Sequence, residues 1–342
     1  MQVKDISINY DYNVLIKCMT YNHSKFIIDA LEGFAMQQTK WPFVCLVVDD
    51  ASLDGTQNVI EEFIQQECSS EKTIHYSCIE ASIIVSRHKN NDNCIFVFYL
   101  LTKNMYKHPT EKDNIYISWC KKAKYIAICE GDDYWTEPAK LQKQIDFLEN
   151  NTEYAMCYTG FNVVSSEKKY IISKNAITNQ KKSLSGDIFT KLLKGNFIQT
   201  MTVCYKNGIE DMLIYKNCPT VMDWSLFLSL AWIGKCKFFP DVTSAYRHHD
   251  GSMSRSNHNW IDQRGIIIKD YFYLMYLKER RKKTSLKEDL SLKINIVKNI
   301  FRHSIDNKRF FRIAEKDSVM YLLYPFGFLF HYVRKLKNIL SL

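Results

Sequence analysis

Over its first 150 residues the chain alternates short apolar runs with segments of helical period, and the runs close in polar or acidic clusters. Residues 14–19 (VLIKCM) form a short, mostly apolar run that leads into Thr20-Tyr21-Asn22-His23. Residues 25–37 then set Phe26, Ile27, Ala30, Leu31 and Phe34 on one helix face. A valine-rich run at 43–48 stops at Asp49-Asp50, and Asp54-Gly55-Thr56 opens a helix carrying Val59, Ile60, Phe63 and Ile64 on one side, with Asp54 as its cap. Further strands are predicted at 73–78, 95–101 and 125–129, the last running into Glu130-Gly131-Asp132-Asp133-Tyr134-Trp135. Between them lie a polar loop at 103–114 and a short helix at 115–122. A helix over 138–150 begins with Pro138, a favoured first-turn residue. This alternation predicts an α/β fold with a mostly parallel central sheet flanked by helices. Ligands of such sheets collect outside the carboxyl ends of the strands. All three clusters fall there.

Beyond residue 150 the pattern predicts strands at 154–164, 201–205, 236–239 and 242–247, with helices near 187–194 and 224–232. A hydrophobic share of 46% and a charged share of 24% exclude general disorder. Only 11 Gly and 6 Pro exclude collagen-like and low-complexity readings. The 11 cysteines fall singly, without CxxC spacing, which argues against a zinc ribbon or a disulfide framework and for reduced thiols in an intracellular protein. The opening MQVKDISINYDYNV has no apolar core of a secretory signal, so none is expected.

Three acidic groups among Glu130, Asp132 and Asp133 repel one another unless a cation sits between them. A hard divalent cation bound through carboxylate oxygens answers that and leaves positions for phosphate oxygens. Asp49 and Asp50 close the second strand, where a carboxylate can accept from a nucleobase N–H or face ribose hydroxyls; turn chemistry also favours Asp there. Asp223 precedes the apolar stretch 224–232 and reads either as a helix cap or as a general base at a helix start. No GxGxxG follows the first strand and no GxxxxGK[ST] is present, which excludes a nicotinamide-binding Rossmann enzyme and a P-loop NTPase.

Four segments in order, TYNHS, VVDDASLDGT, CEGDDYWTEPAKLQKQIDFLE and MDWSLFLSLAWIGK followed by YRHH, resemble family 2 glycosyltransferases of the GT-A fold over roughly residues 12–255. The resemblance implies inverting transfer of a hexosyl or N-acetylhexosaminyl unit from a nucleotide-sugar, usually UDP-linked, to an acceptor hydroxyl. It implies a catalytic base at Asp223 and donor contacts from Thr20, Tyr21, Asn22, Asp49, Asp50, Asp132 and Gln199, the last in GNFIQT. It implies Mn²⁺ or Mg²⁺ held by Asp133, Asp132, Glu130 and His249, with His248 the competing histidine. Glu130 stands where the family more often has Asp, and Met222 stands where the family often has Glu. A metal-dependent nucleotidyltransferase is the nearest alternative, but TYNHS is not its Gly-rich basic loop.

The net charge of +9 is one-sided. Residues 259–342 carry 18 Lys and Arg against 8 Asp and Glu, and the rest is close to neutral. A catalytic domain over 1–258 and a basic, aromatic-rich helical region over 259–342 are therefore expected. Binding to nucleic acid is the weaker reading, given the acidic triad Glu130, Asp132 and Asp133 in the body. Residues 318–333 (SVMYLLYPFGFLFHYV) lack any Asp, Glu, Lys or Arg but are too short to span a bilayer, and Arg334, Lys335 and Lys337 follow. That combination predicts an interfacial anchor on an anionic membrane, or else an oligomer contact. A glycan or lipid-linked acceptor in bacterial surface-polysaccharide assembly, at the cytoplasmic face of the inner membrane, would suit it.

Overall fold

A computed structural model describes residues 12–171, 184–208, 213–220, 222–252, 258–279, 283–302 and 306–340. The chain forms two compact units: one of residues 1–186, 197–211 and 233–252, the other of 187–196, 212–232 and 253–342. The second unit thus takes in two stretches from the middle of the chain as well as the basic tail.

The first unit holds a ten-stranded sheet ordered β3-β4-β5-β2-β1-β6-β9-β8-β10-β7 among the described residues. Its strands are β1 (Val14–Thr20), β2 (Phe43–Asp49), β3 (Ile74–Ser77), β4 (Ala81–Arg87), β5 (Cys94–Leu101), β6 (Tyr125–Ile128), β7 (Tyr134–Trp135), β8 (Tyr154–Ser165), β9 (Cys204–Lys206) and β10 (Lys235–His248). The centre, β5-β2-β1-β6, is parallel, with Thr20 opposite Asp49 and Asp49 opposite Leu100. Every residue of β2 and β5 is buried, the signature of strands covered on both faces. On one face α1 (Ile27–Ala35), α2 (Thr56–Glu67) and α4 (Lys140–Asn150) share a core with β1, β2 and β5. On the other, α3 (Pro109–Lys122) buries Trp119, whose Nε1–H donates to Tyr99 Oη at 3.0 Å.

The sheet is mixed rather than parallel throughout. The 73–78 run pairs antiparallel with β4, an edge the sequence pattern did not announce, and β9 runs antiparallel to both β6 and β8. Helix α3 starts at Pro109, inside the expected loop, because its first turns are polar and lack an apolar stripe. The two strands expected at 236–239 and 242–247 are one strand, with a register shift between Phe239 and Val242.

In the second unit the helices are α5 (Phe189–Lys194), α6 (Leu213–Lys216), α7 (Asp223–Ile233), α8 (His258–Glu279), α9 (Leu286–Ile300), α10 (Asn307–Ala314) and α11 (Tyr324–Leu340). Lys269 Nζ donates to the Lys194 carbonyl at 3.0 Å and Trp224 Nε1 to the Leu192 carbonyl at 2.9 Å, which clasps the short α5 among later helices. Pro325 opens α11 instead of breaking it, and Gly327 lets α11 approach Phe301: a Cβ there would lie 2.6 Å from the ring. At the unit's centre Lys293 is buried between Asp289 (2.8 Å) and Asp317 (3.0 Å), which also accept from Tyr276 and Tyr273. No helix among the described residues is long and apolar enough to cross a membrane. All eleven cysteines are unbonded thiols, ten of them buried.

Candidate active site

The parallel pairing of β2, β1 and β6 carries the loops after them to one edge of the sheet. Those loops are tied together by side chains. Asn22 adopts φ 57 and Ala51 φ 55, both left-handed and both just past strand ends. The Asn22 N–H donates to Ser52 Oγ at 2.8 Å, and Asn22 Oδ1 accepts the Leu53 N–H at 2.8 Å, so Asn22 stitches the β1 loop to the β2 loop. Asp54 accepts from the N–H groups of Ser24 and Thr56, both at 3.0 Å, and so pins the same two loops while capping α2 from beside its N-cap, Gly55.

The loop after β6 packs on the β1 loop at Gly131. Its N–H donates to the Met19 carbonyl at 3.0 Å, and a Cβ on it would sit 2.6 Å from Thr20 Oγ1. Only glycine fits there. Thr20, itself buried, hydrogen-bonds His23 Nδ1 at 3.1 Å. Nε2 of His23 lies 3.8 Å from Asp132 Oδ2, and His249 Nε2 lies 3.0 Å from the same oxygen. His23, Asp132 and His249 offer ligand atoms all within 4.8 Å of one another, the group of described residues able to hold a metal ion. Burial would raise the Asp132 carboxyl, but the His249 hydrogen bond and the His23 ring outweigh it and hold the group below its ordinary value. Burial holds the His23 imidazole below its usual range, against the pull of Asp132.

Asp133 stands apart from that group. It is buried, and its Oδ1 accepts the Arg247 N–H at 2.8 Å. Burial, then the Asp132 charge beside it, push its carboxyl well above the ordinary value. Arg247 is sandwiched between the Phe26 and Tyr134 rings and bonded to Asp29 at 2.6 Å. Its Nε is a buried donor without a hydrogen-bond partner. Glu130 is half-buried, and its carbonyl accepts the Asp133 N–H at 3.2 Å. His249 rather than His248 meets Asp132; the His248 ring packs on Tyr246.

Asp49 and Asp50 are both engaged. Asp49 accepts from Gln57 Nε2 at 2.6 Å and the Ser52 N–H at 3.0 Å; Asp50 accepts from the Met105 N–H at 2.7 Å and Lys112 Nζ at 2.9 Å. A carboxylate offers about four lone-pair sites, so Asp50 keeps acceptor capacity after these two bonds. Tyr21 is 41% exposed. Gln199 precedes a 3₁₀ turn, Thr200–Thr202, and its carbonyl accepts from Thr202 Oγ1 at 2.6 Å. In the second unit Asp223 is exposed and is the first residue of α7, not its cap. The first turn is closed by Ser225, whose hydroxyl donates to the Met222 carbonyl at 2.6 Å and accepts its N–H. Motif reading passed over His23 and Lys112. TYNHS was the signal for the first, and the second has none, since only the fold brings it to Asp50.

No family model matches the chain. An uncharacterized protein of Mycobacterium tuberculosis, Rv1520, is 30% identical over 234 residues, covering 68% of this chain and 58% of that protein. The chain therefore spans under two thirds of the length of its mycobacterial relatives. TuaG of Bacillus subtilis, named for a glycosyltransferase role in teichuronic acid biosynthesis, is 20% identical over 266 residues, 76% of this chain and 88% of that protein. Among solved structures, residues 1–349 of TarS from S. aureus, in complex with UDP-GlcNAc, superpose with a TM-score of 0.50 at 14% identity, over 87% of this chain and 74% of that one. With these likenesses and a parallel strand core that gathers acidic loops at one edge, the chain has the GT-A type of glycosyltransferase fold.

Proposed function

We propose that the chain is an inverting, metal-dependent glycosyltransferase that moves a sugar from a nucleotide-sugar, UDP-linked by preference, to an acceptor hydroxyl in surface-polysaccharide synthesis. The observation that carries this reading is the convergence of Asp132 with two imidazoles at the carboxyl edge of the parallel strands, beside the Asp49–Asp50 loop. Asp132 and His249 would hold a divalent cation, Mn²⁺ or Mg²⁺. Bound there, it supplies Lewis-acid stabilisation of the leaving diphosphate. Thr20, Tyr21, Asn22, Asp49, Asp50 and Gln199 line the donor side in this reading. Asp223 takes the acceptor's proton as its oxygen forms a bond to the anomeric carbon and the carbon–diphosphate bond breaks.

The helical unit presents Leu322, Leu329, Tyr332 and Leu336 to solvent, at 55–80% exposure, with Arg334 and Lys335 among them. In our reading this face seats the protein on an anionic leaflet that carries a lipid-linked acceptor. The decisive experiment screens UDP-, GDP- and dTDP-sugars for protection of the purified chain against thermal unfolding, with Mn²⁺ and with chelator. A UDP-sugar should protect and should lose most of that effect in chelator. Protection by no nucleotide-sugar would overturn the reading. Asp223→Asn should lower turnover by about 10²-fold or more with donor protection unchanged.

A further inference from the structure

We propose that His23 is a third protein ligand to the divalent cation, so that His23, Asp132 and His249 form a two-imidazole, one-carboxylate site that selects Mn²⁺ and Co²⁺ over Mg²⁺. The inference rests on the metal-dependent reading above and sharpens it. Two ring nitrogens approach one carboxylate oxygen, Asp132 Oδ2. His249 Nε2 is at hydrogen-bond distance, 3.0 Å, whereas His23 Nε2 at 3.8 Å is beyond it. A ring nitrogen that faces a carboxylate without bonding it is spaced as two ligands of a shared ion are, with bonds of about 2.0–2.2 Å each.

His23 is held in that attitude from every side. Its N–H donates to Thr56 Oγ1 at 2.9 Å, and its carbonyl accepts from the N–H groups of Phe26 and Ile27. Its Nδ1 is bonded to Thr20 Oγ1, which fixes the ring and turns Nε2 toward Asp132. His249 is equally placed: its ring lies 4.7 Å from Phe26, centroid to centroid, and a Cβ on Gly251 would come within 3.3 Å of its Nδ1. Preorganised imidazoles of this kind are what metal sites require and what a plain hydrogen-bonded turn does not. Asp133, expected from the motif as a ligand, lies outside this group, with one oxygen accepting the Arg247 N–H. Two nitrogen donors favour first-row transition ions, Co²⁺ more strongly than Mn²⁺, over Mg²⁺, a hard ion that dehydrates reluctantly and prefers carboxylate, water and phosphate oxygens.

The test uses the full chain stripped of metal, titrated calorimetrically with Mn²⁺, Co²⁺ and Mg²⁺ in the presence and absence of UDP. Pulsed electron paramagnetic resonance of the Mn²⁺ form counts the coordinated imidazole nitrogens. Wild type should show two nitrogens, and His23→Gln one. The substitution should weaken Mn²⁺ and Co²⁺ binding by about tenfold or more and Mg²⁺ binding by less than about threefold. A count of one in the wild type overturns the proposal without any variant, which matters if His23→Gln folds poorly. So does a His23→Gln protein that keeps the wild-type count, or one that loses Mg²⁺ as steeply as Mn²⁺. In those cases a cation that still binds leaves the metal-dependent transferase standing. A wild type that binds none of the three ions, even with UDP, removes both.

Discussion

Two residues outside the ligand group test how tightly the site is built. Gly131 has no room for a side chain: the first atom added would overlap Thr20 Oγ1 and Cβ at 2.6 and 2.8 Å and Ile27 at 2.9 Å. Thr20 in turn holds His23, so Gly131→Ala should reach the ligand group through a single contact. Overpacking of this kind costs about 1–3 kcal/mol. We expect Mn²⁺ affinity to fall about tenfold or more with a modest loss in Tm; unchanged Mn²⁺ affinity in calorimetry would show that the loop yields elsewhere. Lys140 is 1% exposed, bonded to Gln144 Oε1 at 2.7 Å and the Thr202 carbonyl at 3.2 Å, with Nζ 4.8 Å from the Trp135 ring centroid. Burial lowers its pKa from 10.5 to about 8. Between pH 8 and 10.5 the unfolded chain therefore holds the extra proton, so this lysine penalises the folded state most below pH 8 and not at all above 10.5. Lys140→Met removes the penalty, and its stability relative to wild type should fall by about 2 kcal/mol from pH 7 to pH 10. Denaturant unfolding at the two pH values measures it, and a difference that does not move with pH would mean the ammonium stays charged against Trp135.

Elements differ in how openly the sequence declares them. The central strands were legible because burial on both faces demands uninterrupted apolar runs, and β2 (FVCLVVD) and β5 (CIFVFYLL) are such runs. At the outer edge the 73–78 run was legible as a strand, but its partner β4 (ASIIVSR) and the antiparallel pairing of the two were not, since nothing within the run shows which strand it meets. The polar opening of α3 hid its start: Pro109 and Glu111 are helix-start signals, but no apolar period accompanies them. The site divides along the same line. Asp132 and Asp133 stand adjacent in sequence and look equivalent, yet backbone direction sends one to His249 and the other to the Arg247 N–H. His23 is a lone histidine in its own loop and gains a metal-binding setting only from the pairing of β1 with β6. The approach of α1 to β7 carries a prediction at this scale. A Cβ on Gly33 would lie 2.9 Å from the Trp135 backbone nitrogen, which cannot swing away as a side chain could. Gly33→Ala should therefore destabilise the first unit by about 1–3 kcal/mol despite alanine's better helix propensity. Unfolding midpoints compare the two, and a stabilised variant would mean α1 shifts freely on the sheet.

At the scale of the whole chain, the two units are interleaved in sequence, and this changes how the basic tail has to be tested. The second unit is completed by 187–196 and 212–232, so removing 253–342 would strip the cover from apolar residues that stay behind. Phe189 packs on Phe272 at 6.3 Å, and Trp224 lies against Lys269 at 5.6 Å. A chain ending near residue 256 should thus aggregate, whatever the tail binds. Surface substitution separates folding from docking. Leu329 and Leu336 are 63% and 57% exposed on α11, whereas the core contact of that helix is made by Gly327 and Phe328 on Phe301. The double variant Leu329→Glu with Leu336→Glu changes two exposed apolar residues into carboxylates beside Arg334 and Lys335. It should leave Tm within about 2 °C, since exposed substitutions typically cost within ±0.5 kcal/mol. It should lower sedimentation with phosphatidylglycerol vesicles about tenfold or more, because it removes buried apolar area and adds repulsion from the anionic surface. Wild-type sedimentation should weaken as salt is raised, since clustered lysines and arginines contribute only within the screening length. If wild type stays in the supernatant at low salt, or if the double variant sediments as wild type does, this face is not the membrane contact.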